Sequence, residues 1–228
     1  MKIKMKIKMK ISGAIFDMDG TLINSLIVWD MIWEEFGRRF CGGKKFEPSK
    51  EDDKAIRTIP LKDAMELLHK RYGIGNDGKE LLDVADEVCT EFYSSQVELK
   101  EGTREFLERA RARGIKMCVA TATAKYLVAV AMEHLDLNKY FEAVFSCADI
   151  GKGKEYPDVF IKARDLLGVP EDECWIFEDS LTALTTAKNA GMNTVGIYDA
   201  CNPDQEGVRA VSDVYIAEGH SVNEIVFD

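Results

Sequence analysis

An apolar run, Ile11 to Phe16, passes without a break into Asp17-Met18-Asp19-Gly20-Thr21. A run this short, closed by Asp and Gly, reads as a buried strand. It ends on two carboxylates one residue apart. Desolvating an unpaired carboxylate costs several kcal/mol, so a strand that ends this way calls for a cation or a polar partner. Strand alternation points Asp17 and Asp19 to one side, towards one site. Taken alone, the pair also fits a loop with helix-capping acids or a solvated strand end. The choice between these readings depends on partners further along the chain.

The totals narrow the function classes. At 228 residues the chain is long enough for a sizeable core, alone or with a smaller insert. A formal charge of −10 argues against a nucleic-acid or anionic-membrane surface, both of which need a basic field. Six cysteines are widely spaced with no C-x-x-C pair. Cys118 and Cys174 sit inside apolar runs and read as buried thiols of a reducing, cytoplasmic setting. No apolar run approaches the roughly 20 residues that a membrane span needs. The opening Met1 to Lys10 alternates Met or Ile with Lys, and no apolar stretch of signal-peptide length follows. That alternation fits an extension of the first strand, an edge strand or a frayed basic tail.

After Thr21 the period changes. Trp29, Ile32, Trp33 and Phe36 recur at helical spacing, an aromatic stripe that reads as a core face. Ser49 before Glu51, Asp52 and Asp53 marks a second helix start. Pro60 opens a third helix, and Leu81 to Gln96 is a fourth, after a turn over Gly73 to Gly78. From Gly102 the rhythm becomes helix, strand, helix, strand. Helices fall over Thr103 to Arg113, Lys125 to Leu135, Pro157 to Leu167 and Leu181 to Ala190. Strands fall at Ile115 to Ala120, Ala143 to Phe145, Cys174 to Phe177, Thr194 to Tyr198 and Val214 to Ala217. Alternating strands and helices imply a parallel sheet covered on both faces.

Open parallel sheets bind ligands at the carboxyl ends of their strands. Three predicted strands end there in polar groups: Asp17 with Asp19, Thr121, and Glu178 with Asp179. A loop over Gly151 to Asp158 brings Lys154 to the same rim, three residues before Pro157. Carboxylates from two strands, a hydroxyl and a lysine suit Mg²⁺ and a phosphoryl group. Separately, each piece has a plainer reading. Glu178-Asp179-Ser180 fits a capped helix start, Thr121 and Thr123 fit a strand end and an N-cap, and Lys154 fits a solvated lysine.

The ordered set Phe16-Asp17-Met18-Asp19-Gly20-Thr21-Leu22, Val119-Ala120-Thr121-Ala122-Thr123, Lys154-Glu155-Tyr156-Pro157-Asp158 and Ile176-Phe177-Glu178-Asp179-Ser180 resembles the haloacid dehalogenase superfamily, in its phosphatase and phosphomutase branch. The resemblance runs from about Ile11 to the C-terminus. It implies a Rossmann-like, doubly wound α/β core with an inserted four-helix cap. Asp17 would be the nucleophile and Asp19 the general acid and base. Mg²⁺ would be held by the Asp17 carboxylate, the Asp19 backbone carbonyl and Asp179, with Glu178 helping directly or through water. Thr121, Lys154 and the backbone N–H of Ala122 would bind the phosphoryl group. Two departures stand out. The lysine stretch lacks the usual Gly-Lys-Pro, leaving Lys152 as a rival to Lys154, and Asn24 stands where the family often has Asp.

The long gap after the first motif can hold a domain, and the gap between Thr121 and Lys154 cannot. Residues 1–24 and 98–228 are therefore expected to form the core and residues 25–97 the cap, closing over the site to exclude water. Arg57 and Thr58, in a polar break between cap helices, are candidate specificity contacts. Arg57 reads equally as a surface arginine. The expected activity is a phosphatase on a small phosphorylated metabolite, sugar-phosphate-like, in a monomer. The alternatives are a phosphomutase and a non-catalytic phosphometabolite-binding protein.

Overall fold

The computed structural model describes residues 7–57 and 59–228. It contains two compact units. One holds the described residues up to Leu26 together with Val97–Asp228, and the other is Ile27–Gln96.

The unit Ile27–Gln96 is helical: α1 (Val28–Phe40), α2 (Lys50–Ile56), α3 (Leu61–Tyr72) and α4 (Gly78–Ser95). The aromatic stripe is its core, with Ile32, Trp33 and Phe36 buried and Trp33 packed 5.8 Å from the Phe46 ring. Ser49 caps α2 by accepting from the Asp52 N–H at 3.1 Å. Helix α4 begins three residues before the Leu81 that its apolar pattern suggested. Asp77 caps it, accepting from the Glu80 N–H at 2.7 Å. Gly78 then sits where any Cβ would fall 2.8 Å from the Glu66 Cα, so glycine permits the close approach of α3. Periodicity could not show that packing.

In the other unit, six parallel strands form one sheet: β2 (Gly13–Phe16), β3 (Lys116–Thr121), β4 (Ala143–Ser146), β5 (Cys174–Glu178), β6 (Asn193–Ile197) and β7 (Val214–Ile216). Their spatial order is β4-β3-β2-β5-β6-β7, so the winding reverses direction at β2. Helices α5 (Thr103–Ala112), α6 (Lys125–His134), α7 (Cys147–Ile150), α8 (Asp158–Leu167), α9 (Leu181–Asn189) and α10 (Gln205–Val211) connect the strands. This is the doubly wound α/β architecture. Alternation along β2 sends Ile15 into a cluster with Cys118, Phe160, Leu167 and Ile176. Phe16 goes to the opposite face, stacked 4.5 Å from Phe177 and edge-on to Phe106 at 6.0 Å.

The amino-terminal alternation does not extend the first buried strand. Residues Ile7–Met9 (β1) pair in parallel with Ile225–Phe227 (β8) in a separate two-stranded sheet. The carboxyl-terminal partner, too short for its own periodic signal, decides where that strand goes. The part of the alternation before Ile7 lies outside the described residues. Helix α10 and the single turn α7 also lack a readable pattern in the sequence. Among the described residues, no helix is long and apolar enough to cross a membrane.

Candidate active site

Phe16 pairs with Val119 on one side and Phe177 on the other, so β2, β3 and β5 end almost level. The Asp17 N–H still donates to the Phe177 carbonyl at 2.9 Å, which carries the register one residue past the strand. Asp17 therefore lies beside Glu178, at the point where the winding reverses. Such switch points leave a crevice open at the carboxyl end of the sheet.

Asp17, Glu178 and Asp179 each offer an oxygen within 4.8 Å of the others, and all three residues are buried. Lys154 Nζ stands 2.5 Å from Asp17 Oδ1 and 2.5 Å from Glu178 Oε1. The other Glu178 oxygen accepts from the Ser180 N–H at 2.8 Å. One ammonium faces three carboxylates. Burial pushes Asp17 up to about 8; Lys154 opposes this, while Glu178 and Asp19 add to it. Asp179 is raised well above the usual carboxylate range by burial, then by Glu178 and Asp17. Burial disfavours the Lys154 ammonium, but Asp17 and Glu178 outweigh it and raise its pKa. An all-oxygen donor set with uncompensated negative charge fits a hard divalent cation.

Gly20 makes this packing possible. Its φ is +73°, and a Cβ there would lie 2.6 Å from Asp179 Oδ2. The Asp179 carboxylate thus rests against bare backbone, with the Thr21 hydroxyl donating to its other oxygen at 3.4 Å.

Asp19 is held differently. Its Oδ1 accepts from the Ser25 hydroxyl and its Oδ2 from the Thr123 hydroxyl, each at 2.6 Å. Its carboxylate is not part of the three-residue cluster. The turn after Phe16 thus separates two carboxylates that simple strand alternation would aim at one point.

A family model for haloacid dehalogenase-like hydrolases matches residues 11–191. The chain belongs to this family. The haloacid dehalogenase-like hydrolase is 30% identical to the protein CbbY of Rhodobacter capsulatus, over 82% of this chain and 85% of that one. It is 25% identical to the phosphorylated carbohydrates phosphatase of Thermotoga maritima, over 83% of this chain and 87% of that one. Among solved structures, CbbY from Rhodobacter sphaeroides in complex with phosphate superposes with a TM-score of 0.75 at 21% identity, covering 90% of this chain and 93% of that one. That likeness concerns the fold.

Within this hydrolase the two lysines of the Gly151 to Asp158 loop part company. Lys154 reaches Asp17, whereas Lys152 pairs with Asp158 at 2.7 Å on the surface. Thr121 is buried at the end of β3, its hydroxyl accepting from the Thr123 N–H at 3.1 Å, and Ala122 follows it, exposed. Thr123 does not cap α6, as its position suggested. Ala124 is the N-cap and the Thr123 hydroxyl goes to Asp19, because the loop turns that side chain towards β2. Arg57 is occupied inside the helical unit, bonded to Asp53 at 2.9 and 3.1 Å and lying 5.5 Å from the Trp29 ring centre. An i, i+4 carboxylate and an aromatic neighbour are enough to hold it there. Thr58 lies outside the described residues. Sequence reasoning missed Ser25 as a partner of Asp19. The only signal was a hydroxyl six residues on, which has no meaning until the turn is folded.

Proposed function

We propose that this chain is a Mg²⁺-dependent phosphatase that cleaves a small phosphorylated metabolite, a sugar phosphate foremost, through an aspartyl-phosphate. The observation that carries this reading is the division of labour between two neighbouring carboxylates. Asp17 is held by Lys154 within the acidic cluster, while Asp19, outside it, is held by two hydroxyls. Environments that set two carboxylates apart in this way assign them different tasks.

Asp17 attacks phosphorus, and the leaving alkoxide takes its proton from Asp19. Asp19, now ionised, accepts a proton from water as that water attacks the aspartyl-phosphate. Inorganic phosphate leaves and Asp17 is restored. Lys154, the Thr121 hydroxyl and the Ala122 N–H neutralise the phosphoryl oxygens. Mg²⁺, held by the carboxylates of Asp17 and Asp179 and the Asp19 carbonyl, with Glu178 direct or through water, would supply charge neutralisation between nucleophile and phosphate.

The substrate class draws on the relatives. One is a phosphorylated carbohydrates phosphatase, and a CbbY structure holds xylulose-1,5-bisphosphate. The helical unit Ile27–Gln96 is assigned substrate selection, as a cap. Six free cysteines agree with a cytoplasmic setting. Phosphate release across a panel of sugar phosphates with Mg²⁺ tests the proposal. Turnover that disappears in Asp17→Asn is expected. Release by that variant at near wild-type rate would overturn the aspartyl-phosphate, and conversion of a sugar bisphosphate to an isomer without free phosphate would make the enzyme a mutase.

A further inference from the structure

Asp179 presents a problem that the sheet does not solve. The last paired residue of β5 is Glu178, opposite Gly196, so the ladder no longer fixes the backbone of Asp179. Its carboxylate must nevertheless lie against Gly20 and beside Asp17. The Asp179 carbonyl accepts a 2.6 Å hydrogen bond from Asn202 Nδ2, a residue in the loop after β6 that belongs to none of the four motifs.

That loop is built to hold the amide in place. Asn202 Oδ1 accepts from the Asp204 N–H at 3.0 Å. The Asn202 N–H donates to the Asp199 carbonyl at 3.1 Å, and Gln205 Nε2 donates to the Asn202 carbonyl at 3.1 Å. The Asp204 bond fixes which end of the amide faces Asp179, because a flipped amide would set oxygen against oxygen and strip Asp204 of its acceptor. The loop is anchored in turn. Buried Asp199 pairs with Lys100 at 2.7 Å, and Gln205 Oε1 accepts from the Tyr215 hydroxyl at 2.8 Å.

We propose that Asn202 is a positioning residue for the metal site: its hydrogen bond to the Asp179 carbonyl sets the placement of the Asp179 carboxylate and thereby the affinity for Mg²⁺. This rests on the metal-dependent reading above and adds a residue to it. Groups that orient a metal ligand commonly change affinity by about 10–100-fold when removed.

The test is calorimetric titration of Mg²⁺ into the wild-type protein and the variants Asn202→Ala and Gln205→Ala, with thermal unfolding of each in chelator. Gln205→Ala loosens the same loop without touching Asp179. The expected result is a Kd raised roughly tenfold or more in Asn202→Ala, a clearly smaller rise in Gln205→Ala, and a kcat of Asn202→Ala that recovers at saturating Mg²⁺. Wild-type affinity in Asn202→Ala would overturn the inference while leaving the metal reading intact. Equal weakening in the two variants would also overturn it, since the loop alone would then be responsible. A wild-type protein that takes up no Mg²⁺ would instead remove the metal reading, and this inference with it.

Discussion

The Lys154 ammonium bridges Asp17 and Glu178, 2.5 Å from an oxygen of each, while the neighbouring Lys152 is engaged with Asp158 on the surface. Two lysines separated by one glycine thus occupy different electrostatic worlds. Lys154→Ala is expected to lower kcat/KM by about 10²–10³-fold, the usual cost of removing one donor to a developing oxyanion. Lys152→Ala is expected to leave activity near wild type, because an exposed ion pair contributes about 0–1 kcal/mol. Steady-state kinetics on both variants decide the matter. Equal losses would remove the distinction.

Ser25→Ala and Thr123→Val each take one hydroxyl from the Asp19 carboxylate. A hydrogen bond to a charged group is worth about 1.5–3 kcal/mol, so each change should slow phosphoryl transfer by roughly tenfold or more. The slowing should depend on the leaving group. Alkyl phosphates need a proton on the departing oxygen and should suffer most, while p-nitrophenyl phosphate needs little help and should suffer least. Comparing the two substrates under single-turnover conditions measures this. Identical losses on both would mean that the hydroxyls serve the fold and not the acid.

Gly20→Ala tests the close approach of Asp179. A methyl group would lie 2.6 Å from Asp179 Oδ2 on a backbone with φ of +73°. The left-handed backbone alone costs a non-glycine residue about 1–2 kcal/mol. The variant should unfold at a lower temperature and bind Mg²⁺ more weakly. Unchanged Mg²⁺ affinity in calorimetry would show that Asp179 does not need bare backbone beside it.

The pH dependence follows from Asp17. Its carboxyl titrates at about 8 in the folded, metal-free protein, against 3.8 for the ordinary group. Between these values the folded state holds a proton that the unfolded chain has released. This contribution to metal-free stability is therefore greatest at the acid end and declines as pH rises towards 8. Asp179 shifts in the same direction. Mg²⁺ needs the carboxylates ionised, so its affinity should climb with pH through this range and its binding should release protons. Thermal unfolding in chelator across pH, with Mg²⁺ titrations in buffers of different ionisation enthalpy, gives both signs. Affinity that stays flat through pH 8, with no proton release, would contradict the raised Asp17.

Much of this was legible from residue order. The run Ile11 to Phe16 with its terminal carboxylates, the strand–helix rhythm after Gly102 and the spacing of Lys154 from Pro157 all carry local or periodic signals. Burial and backbone geometry impose those patterns residue by residue, so they survive in one dimension. The helical pattern of α1 to α4 was readable for the same reason, although Gly78 hid the start of α4. The pairing of β1 with β8 was not readable, because three-residue strands have too little period to show and their meeting joins the two ends of the chain.

By itself, then, the chain's sequence determined the parallel α/β class, the family and the list of groups that can do chemistry. Tertiary structure alone decided which group meets which: Ser25 and Thr123 at Asp19, and Asn202 behind Asp179, while Lys154 at Asp17 agrees with the choice that its spacing to Pro157 had favoured. Hydrogen bonds and ion pairs form over about 3 Å between residues remote in the chain. No composition, period or motif encodes that distance until the sheet register and the turns beyond it bring the side chains together.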